Sequence, residues 1–387
     1  MKPIRDIDVS DKRVLVRVDF NVSLDKQGNV VDDFRIKAVL PTIEYLIENH
    51  AKVILMSHLG KPNGRVVENL RLDPVREKLA QYLNLPIVKT QDCIGEAVVE
   101  QVLKLSAGKV LLLENLRFHK EEEENDDKFA RELARLGEIY VNDAFAVSHR
   151  EHASVAAVVK HLPAYAGLIL EKEIRILSEV FENPPRSLVV IIGGAKISTK
   201  IKLIKCFLGF ADNILLGGAL ANTVLHAQGL AIGKSLIEEE MVGEVKSLQL
   251  TDTKMHIPVD TVVSADKTGN GEISVAPVGK IGDDELILDI GPETEKLFSE
   301  VIKNAKTVVW NGPMGLFEVE QFEHGTDAVA RAIISCSCHS VVGGGETTAF
   351  LAKRDWFDKF FHVSTGGGAM LEFLAGEKLP GIAALEK

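Results

Sequence analysis

The sequence has few cysteines and no long apolar run, and both absences narrow its class. Its four cysteines show no CxxC pair, which is too little for a disulfide framework in 387 residues. Cys336 and Cys338 could share a metal ion, but they stand isolated from other ligand-type residues. No stretch is long enough to cross a bilayer, and the opening MKPIRDIDVSDKR lacks the apolar segment of a signal peptide. These features predict a cytoplasmic protein without a membrane partner.

Positively charged residues are also fewer than negatively charged ones. Lys and Arg number 45 against 56 Asp and Glu, so the net charge is −11. Because affinity for a polyphosphate backbone is mostly cationic, this balance argues against a nucleic-acid partner. It does not exclude small phosphorylated ligands, which need only a local cluster of positive charge. The 46% apolar and 26% charged residues are typical of a globular chain, and the length predicts two or three domains.

Short β-branched runs alternate with segments of helical spacing along the whole chain. The first half contains RVLVRVDF, AKVILMSHLG, GKVLLLENLRF and EIYVNDAF; the second contains SLVVIIGGA, NILLGGALA, TVVWNGPMG, HSVVGGGE and FHVSTGGG. Apolar strands alternating with helices predict parallel sheets covered on both faces. The segment EKEIRILSEVFENPPRS predicts a helix that stops at Asn183-Pro184-Pro185. The predicted fold class is α/β, with two doubly wound, Rossmann-like parallel-sheet domains joined by this helix.

Long cations and polar residues follow the predicted strands of the first half. In open parallel sheets, ligands bind beyond the carboxyl ends of the strands. Any single arginine among them is better explained as a surface side chain. Several guanidinium groups at equivalent positions can converge on phosphate or carboxylate oxygens, so the set predicts an anion site. Its members are Asp19, Asn21, Arg35, His58, Lys61, Arg117, His149 and Arg150.

Glycines occupy the same positions in the second half. Glycine allows the backbone to approach a ligand closely, although each pair alone also suits a strand-to-helix turn. Together they predict a nucleotide cradle. Lys196 and Lys200 are four residues apart, which places them on one face of the predicted helix, and Glu346 offers an oxygen ligand for Mg²⁺. The glycines are Gly193-Gly194, Gly217-Gly218, Gly312, Gly343-Gly344-Gly345 and Gly366-Gly367-Gly368.

The common nucleotide-binding signatures are missing. The chain has no GxxxxGK[ST] and none of the protein-kinase set VAIK, HRD and DFG, which excludes those two classes. No GxGxxG closes a first βα turn, which argues against a nucleotide-linked oxidoreductase but leaves it as an alternative. A non-catalytic protein that binds phosphorylated ligands is the other alternative. The acidic run Glu121 to Glu124 is interpreted as the N-terminus of the helix DKFARELARLG rather than as a metal site.

A series of stretches in both halves resembles one enzyme family. They are RVDFNVSLD, DDFRIKAVLPTI, SHLGKP, LLLENLRFHKEE, YVNDAFAVSHREHAS, GGAKISTK, LDIGPET, WNGPMGLFE, VVGGGETTA and STGGGAMLEFLAGEKLPGIAALE. In this order they resemble phosphoglycerate kinases along nearly the whole chain. The resemblance implies reversible phosphoryl transfer from 1,3-bisphosphoglycerate to Mg-ADP, giving 3-phosphoglycerate and ATP, in glycolysis and gluconeogenesis. It implies Mg²⁺ as cofactor and a monomer.

The resemblance also assigns residues. For the phosphoglycerate site it implies Asp19, Phe20, Asn21, Arg35, His58, Leu59, Gly60, Lys61, Arg117 and Arg150. For the nucleotide site it implies Lys196, Lys200, Gly217, Gly218, Asn311, Glu318, Gly344, Gly345, Glu346 and Thr347. The implied catalytic residues are Arg35, Lys196, Lys200, Gly345 and Gly367, with Glu346 as the metal ligand and Glu318 on the ribose hydroxyls. Arg35 and Lys200 are expected to flank the transferred phosphoryl group.

The chain departs from the family pattern at several of these motifs. Lys61 stands where the family usually has Arg, and a lysine lacks the planar fork of a guanidinium. Glu346 replaces the usual Asp, and its extra methylene leaves both direct and water-mediated Mg²⁺ ligation open. Ala219 replaces a glycine on the adenine side, and Ser23 replaces a proline.

The resemblance sets the expected domain boundaries. Residues 1–170 with 372–387 are predicted to form the phosphoglycerate-binding domain, 171–184 the interdomain helix, and 185–371 the nucleotide-binding domain. The C-terminal tail LEFLAGEKLPGIAALEK resembles the family's return to the first domain. Because the cations and the glycines lie in different domains, a hinge motion around the helix and the tail is expected.

Overall fold

The computed structural model describes residues 1–248 and 253–386, and the chain divides into two compact units. The first unit contains Met1–Arg175 and Glu377–Lys387, and the second contains Ile176–Gly376. The boundary at residues 175 and 176 falls inside the segment predicted as the interdomain helix. None of the helices in these described ranges is long and apolar enough to span a membrane.

The first unit is built on a six-stranded sheet in the order β3-β4-β2-β1-β5-β6, and all its neighbouring strands are parallel. Its strands are β1 (Arg13–Arg17), β2 (Lys52–Met56), β3 (Val88–Lys89), β4 (Val110–Leu112), β5 (Ile139–Asn142) and β6 (Ala164–Ala166). Its helices are α1 (Phe34–Glu48), α2 (Asp73–Leu83), α3 (Glu96–Leu103), α4 (Asp127–Ala134) and α13 (Pro380–Leu385), and α5 (Leu168–Glu182) crosses the unit boundary.

The second unit has a six-stranded parallel sheet in the order β15-β14-β13-β7-β8-β9, and a three-stranded antiparallel sheet in the order β11-β10-β12. Its strands are β7 (Leu188–Ile192), β8 (Asn213–Leu216), β9 (Met255–His256), β10 (Asp260–Ser264), β11 (Ile273–Pro277), β12 (Leu286–Ile290), β13 (Thr307–Asn311), β14 (His339–Gly343) and β15 (His362–Val363). Its helices are α6 (Ile201–Leu208), α7 (Gly218–Ala227), α8 (Val242–Lys246), α9 (Pro292–Lys303), α10 (His324–Ser335), α11 (Gly345–Arg354) and α12 (Gly367–Leu374).

The central strands are buried along their length, which explains their apolar composition. Every residue of β7 is buried, as is every residue of β13, because helices cover both faces of a parallel sheet. The same holds for Val14, Leu15 and Val16 of β1, which have no exposed surface. The predicted fold class, two α/β parallel-sheet domains, is confirmed.

The antiparallel sheet was not predicted. Its edge strand β11 exposes four of its five residues, and the first three residues of β12 are half-buried. Strand β11 lacks the continuous apolar run by which the parallel strands were recognised. This sheet matters for function because its residues line the cavity described below.

The C-terminal segment Glu377–Lys387 belongs to the first unit. The backbone N–H of Gly381 donates to the carbonyl of Ser148 at 2.8 Å. A Cβ on Gly381 would lie 2.6 Å from Cγ1 of Val155, so the close packing of α13 requires glycine at this position.

Candidate active site

The predicted cation site of the first unit lies at the carboxyl edge of its sheet. Asp19 and Asn21 follow β1, His58 follows β2, and Arg117 follows β4. Arg150 comes after β5, beyond a short 3₁₀ turn. Because these four strands are neighbours in a parallel sheet, their carboxyl ends meet at one edge. The structure therefore brings together residues that lie far apart in the sequence.

Arg35 is held by residues that the sequence also singled out. Its Nη1 atom lies 2.9 Å from Oδ2 of the buried Asp19 and donates to the Asn21 carbonyl at 2.9 Å. The side-chain Oδ1 of Asn21 accepts from the backbone N–H of Gly60 at 2.8 Å. Arg35 is itself only partly buried. The guanidinium is thus fixed on one side and open to a ligand on the other.

Arg117 is a buried guanidinium with unused hydrogen-bonding capacity. Its side chain is 2% exposed, and Nη1 donates to the Gly60 carbonyl at 2.8 Å. Its Nε lies 3.2 Å from Oε1 of Glu123. Nη2 has no hydrogen-bond partner among the residues that the structure describes. A buried N–H of a cation without an acceptor is costly, so this atom marks a place where an anionic oxygen would be bound.

His58 is a neutral imidazole among cations. It is 2% exposed, and its Nδ1 lies 3.3 Å from Nη2 of Arg17. Burial first, and then the charges of Arg17, Arg117, Arg150 and Arg35, hold the pKa of His58 well below its usual value. Since a guanidinium can only donate, Nδ1 is the acceptor and the proton of the neutral ring is on Nε2. The ring can therefore donate a hydrogen bond to an anion without adding charge.

The other predicted residues of this edge have different surroundings. Phe20 and Leu59 are buried, and their backbone N–H groups donate to Oγ of Ser57 at 2.8 Å and to Oδ1 of Asn115 at 3.2 Å. These bonds fix the loops that follow β1 and β2. Lys61 is exposed, and Arg150 is half-buried with its Nε 3.4 Å from Nε2 of His149.

Sequence reasoning missed a buried network behind this edge. Arg17 has no exposed surface, and its Nε donates to Oγ of Ser154 at 2.8 Å. Ser154 in turn donates to Oε1 of Glu122 at 2.6 Å and its backbone N–H to Oε2 at 2.9 Å. An arginine inside the otherwise apolar run RVLVRVDF was the available signal. The network orients the guanidinium that contacts His58.

The interpretation of the acidic run as a helix N-terminus was wrong. Helix α4 begins only at Asp127, and Asp126 caps it by accepting from the N–H of Phe129 at 2.8 Å. Glu121 and Glu122 lie in the preceding 3₁₀ turn Lys120–Glu122, and Glu123 and Glu124 lie in the turn after it. Glu122 is buried in the Arg17 network. One carboxylate of the run, that of Glu122, therefore accepts hydrogen bonds inside the fold instead of lying at a helix end.

In the second unit, glycines allow the strand ends to approach one another. Gly194, Gly218 and Gly312 have φ values of +94°, +66° and +94°. A Cβ on Gly218 would lie 2.6 Å from the nitrogen of Gly194, and one on Gly312 would lie 2.3 Å from the oxygen of Gly193. A Cβ on Gly217 would lie 2.5 Å from Sδ of Met314. Backbone contacts therefore require glycine at Gly218 and Gly312, and the positive φ favours glycine at Gly194, independent of any ligand.

Lys196 and Lys200 do not share a helix face, so that prediction was wrong. Helix α6 begins at Ile201, and both lysines precede it in an irregular turn. Lys196 is exposed, whereas Lys200 is 8% exposed and its Nζ donates to the carbonyl of Gly193 at 2.5 Å. Burial lowers the pKa of Lys200 to about 8, while the charge of Glu346 opposes this shift. The buried ammonium points toward the glycine-lined strand ends.

The N-termini of α11 and α12 lie against each other. A Cβ on Gly367 would lie 2.5 Å from Cα of Gly344, whereas one on Gly345 would meet no described atom within 4 Å. Asn311 donates through Nδ2 to the carbonyl of Gly343 at 2.8 Å. Thr347 accepts through Oγ1 from the N–H of Gly312 at 2.8 Å. The side chains of Asn311 and Thr347 thus stabilise the loops that would surround a phosphate.

A cavity of about 740 Å³ opens beside these glycines. Its lining is mostly apolar, with Glu318 and Glu346 among the polar residues. The residues missed by sequence reasoning come chiefly from the antiparallel sheet and its loops, and include Ala265, Thr268, Leu286 and Leu288. Predicted positions on the lining are Gly218, Ala219, Glu318 and Glu346. An apolar cavity with a few carboxylates is suited to a nucleoside.

The first unit has a sheet edge suited to an anion. The second has a cavity suited to a nucleoside, beside glycine-rich strand ends. Together these features define the class: a kinase for a small anionic substrate. Comparison with known proteins gives the family. Residues 4–377 match the family model described as phosphoglycerate kinase. The phosphoglycerate kinase of Moorella thermoacetica is 50% identical over 99% of this chain and 98% of its own length. That of Pelotomaculum thermopropionicum is 47% identical over 99% of this chain and 98% of its own.

Solved structures agree with these relatives. Phosphoglycerate kinase from Coxiella burnetii has a TM-score of 0.85 and 38% identity, covering 99% of this chain and 98% of that one. The enzyme from Pyrococcus horikoshii OT3 has a TM-score of 0.88 and 32% identity, covering 100% and 98%. The chain belongs to the phosphoglycerate kinase family. It is a phosphotransferase with a carboxyl group as acceptor, acting in glycolysis, and its family uses ATP and ADP with a divalent metal. The oxidoreductase alternative is thereby excluded.

Proposed function

We propose that the sheet edge of the first unit binds 3-phosphoglycerate and 1,3-bisphosphoglycerate through Arg35, Arg117 and Arg150. The observation that carries this proposal is the buried Nη2 of Arg117, which lacks a described acceptor. Oxygens of a phosphate or carboxylate would satisfy it, and the neutral His58 would donate from Nε2. Asp19 and Asn21 position Arg35 and the loop at Gly60, while the exposed Lys61 adds a point charge at the rim.

The second unit is proposed to bind ATP and ADP. The nucleoside would occupy the cavity, with Glu318 on the ribose hydroxyls. The phosphates would meet the N–H groups of Gly344 and Gly345 at the N-terminus of α11, a helix of 10 residues. Gly217 and Gly218 would contribute close backbone approach instead, because their N–H groups donate to the carbonyls of Ile192 and Met314. Lys196 and Lys200 would add positive charge to the same phosphates.

Mg²⁺ is the proposed divalent metal, held by Glu346. This side chain is exposed in the first turn of α11, and its Oε2 lies 3.2 Å from the position of a Cβ on Gly194. A single carboxylate is a sufficient protein ligand because Mg²⁺ retains waters and takes further oxygens from the substrate phosphates. When bound, the ion neutralises charge on the nucleotide phosphates.

The proposed chemistry needs no protein nucleophile. An oxygen of the ADP β-phosphate forms a bond to the acyl phosphorus, and the bond from that phosphorus to the carboxyl oxygen breaks, leaving a carboxylate. The protein therefore contributes positioning and charge stabilisation. Arg35 and Lys200 would flank the phosphoryl group in flight, and the N–H groups of Gly345 and Gly367 would share its charge.

Because the two sets of residues belong to different units, the reaction requires a hinge motion that brings both substrates together. This motion would involve α5 and the C-terminal segment. Small-angle scattering should show compaction when both substrates are present; no compaction would contradict the hinge. The protein is proposed to be a monomer and to be located in the cytoplasm.

The residue roles are tested by a coupled assay for ATP-dependent use of 3-phosphoglycerate. Arg35→Ala should lower turnover at saturating substrates by on the order of 10³-fold or more, because such an arginine stabilises transition-state charge. Arg13→Ala is the matched control, since Arg13 begins β1 at the other end of the strand and pairs with Glu138 at 3.2 Å. Near-normal turnover of the Arg35 variant would overturn its role, and an inactive parent chain would favour the non-catalytic alternative.

A further inference from the structure

A second cluster of metal-ligating side chains lies in the first unit. Among the described residues, Asp92, Cys93 and His119 are a set whose ligand atoms all lie within 4.8 Å of one another. Asp92 and Cys93 follow β3, and His119 follows the 3₁₀ turn Leu116–Phe118 after β4. Because β3 and β4 are parallel neighbours, both segments leave the sheet at the same edge. The proposed phosphoglycerate and nucleotide sites use none of these three residues.

The imidazole of His119 and the backbone of Cys93 both contact the carboxylate of Asp92. Nε2 of His119 lies 2.6 Å from Oδ1 of Asp92, and the backbone N–H of Cys93 donates to the same oxygen at 2.6 Å. The sulfur of Cys93 lies within 4.8 Å of the ligand atoms of Asp92 and His119. The ligand atoms of the three side chains therefore lie close together around Oδ1 of Asp92. A divalent cation could bind between them in exchange for protons.

The donor set determines which cation fits. It offers one nitrogen, one oxygen and one sulfur, which suits borderline-soft Zn²⁺ and does not suit Mg²⁺ or Ca²⁺, which prefer oxygen. Zinc bonds to these atoms are about 2.0–2.3 Å long. The three ligand atoms, which lie within 4.8 Å of one another, would have to reach these distances from a common centre. An ion pair alone would account for Asp92 and His119, but not for a buried thiol at the same point.

The surroundings fix the ligands and leave one side open. Cys93 has no exposed surface, while the side chains of Asp92 and His119 are 51% and 26% exposed. The His119 ring packs on Phe129 with centroids 5.4 Å apart, and Oγ1 of Thr90 donates to the carbonyl of Asp92 at 2.5 Å. Such outer contacts orient ligands in known zinc sites. The exposed side gives an ion an entry path and room for a water ligand.

We propose that Asp92, Cys93 and His119 form a Zn²⁺ site with three protein ligands and a solvent water in the fourth position. Binding forms a Zn–S bond, and the thiol proton of Cys93 passes to solvent as the S–H bond breaks. His119 binds as the neutral imidazole, so any proton on Nε2 is released as well. No oxidant or reductant is needed.

The test uses Co²⁺ as a spectroscopic probe on the chelator-treated full chain. The background variant carries Cys206→Ser, Cys336→Ser and Cys338→Ser, which leaves Cys93 as the only thiol. One equivalent of Co²⁺ should produce a sulfur-to-cobalt charge-transfer band and the strong visible bands of four-coordinate cobalt, and Zn²⁺ should displace them. Release of at least one proton per Zn²⁺, measured by calorimetry in buffers of different ionisation enthalpy, is the second expected signal.

Adding Cys93→Ser should abolish the charge-transfer band. Because Cys93 is buried, Asp92→Asn and His119→Gln provide partly exposed alternatives that spare the core. Each should weaken Zn²⁺ binding by more than the roughly 10-fold to 100-fold that loss of an outer contact costs. Absence of the band in the background variant, or undiminished Zn²⁺ affinity in His119→Gln, would overturn the proposal.

Discussion

Nη2 of Arg17 lies 3.3 Å from Nδ1 of His58, and both side chains are buried at the carboxyl edge of the first sheet. The guanidinium can only donate, so this contact sets the tautomer of the imidazole. It also links the ring, through Ser154, to the buried carboxylate of Glu122. The orientation of His58, a proposed ligand-binding residue, is thus determined by the buried guanidinium of Arg17.

Arg17→Met is expected to destabilise the first unit by about 1–3 kcal/mol, because it removes the buried guanidinium that donates to Ser154 and leaves polar groups of the network without a partner. Urea unfolding should be followed by the tyrosines, all four of which lie in the first unit, and by Trp310 and Trp356 in the second. Arg13→Met, which breaks a surface pair with Glu138, should cost less than about 1 kcal/mol. Equal midpoints for the two variants would contradict the network.

Asp143 should impose a pH dependence on stability. Its Oδ1 accepts from the N–H groups of Ile169 and Leu170 at the start of α5, while burial raises its pKa from 3.8 to about 6. Between pH 3.8 and about pH 6 the folded chain retains a proton on Asp143 that the unfolded chain has released. The free energy of unfolding therefore falls as the pH rises toward 6.

Asp143→Asn should remove this slope and keep the helix cap, whereas Asp143→Ala should cost about 1–2 kcal/mol through loss of the cap. Urea unfolding of the three proteins between pH 4 and pH 6.5 measures both effects. A slope that survives unchanged in the asparagine variant would rule out Asp143 as its source.

Nucleotide binding should be coupled to protonation of Lys200. Without ligand, burial lowers its pKa to about 8, so the buried ammonium costs stability below that pH and the cost is relieved as the pH rises toward 10.5. Phosphate charge favours the ammonium, and ADP binding near pH 8.5 should therefore take up a fraction of a proton. Calorimetry in buffers of different ionisation enthalpy detects this uptake.

Lys200→Met should abolish the uptake. Lys205→Met is the matched control, because Lys205 lies on α6 and pairs with Glu244 at the surface at 2.5 Å. If proton uptake were the same in the Lys200 variant and in the parent chain, another group would be responsible.

Gly367→Ala should be destabilising and Gly345→Ala tolerated. The first Cβ would lie 2.5 Å from Cα of Gly344, which is backbone that cannot move aside easily, and such overpacking costs about 1–3 kcal/mol. The second would meet no described atom within 4 Å. Thermal unfolding of the two variants is the measurement. A larger loss for Gly345→Ala would show that the contact between the two helix starts is unimportant.

The positions of the strand-end residues were predictable because parallel strands place their carboxyl ends at one edge. Asp19, His58 and Arg117 could be assigned to that edge from strand order along the chain alone. The surroundings of Lys196 and Lys200 could not, because a helix start cannot be located within a few residues from a glycine-rich run. The part of the cavity wall that comes from the antiparallel sheet was also missed, since that sheet was not predicted.

The sequence by itself determined the class of fold, the family and the chemical character of each strand end, because those depend on local pattern and on motifs in order. Only the tertiary structure decided which groups are buried and what they contact. Arg17 donates a hydrogen bond to Ser154, which is 137 positions away in the sequence. The buried ammonium of Lys200 donates to the carbonyl of Gly193. Asp92, Cys93 and His119 meet through the pairing of β3 with β4. Burial and long-range contacts set protonation and orientation, and neither can be obtained from spacing along the chain.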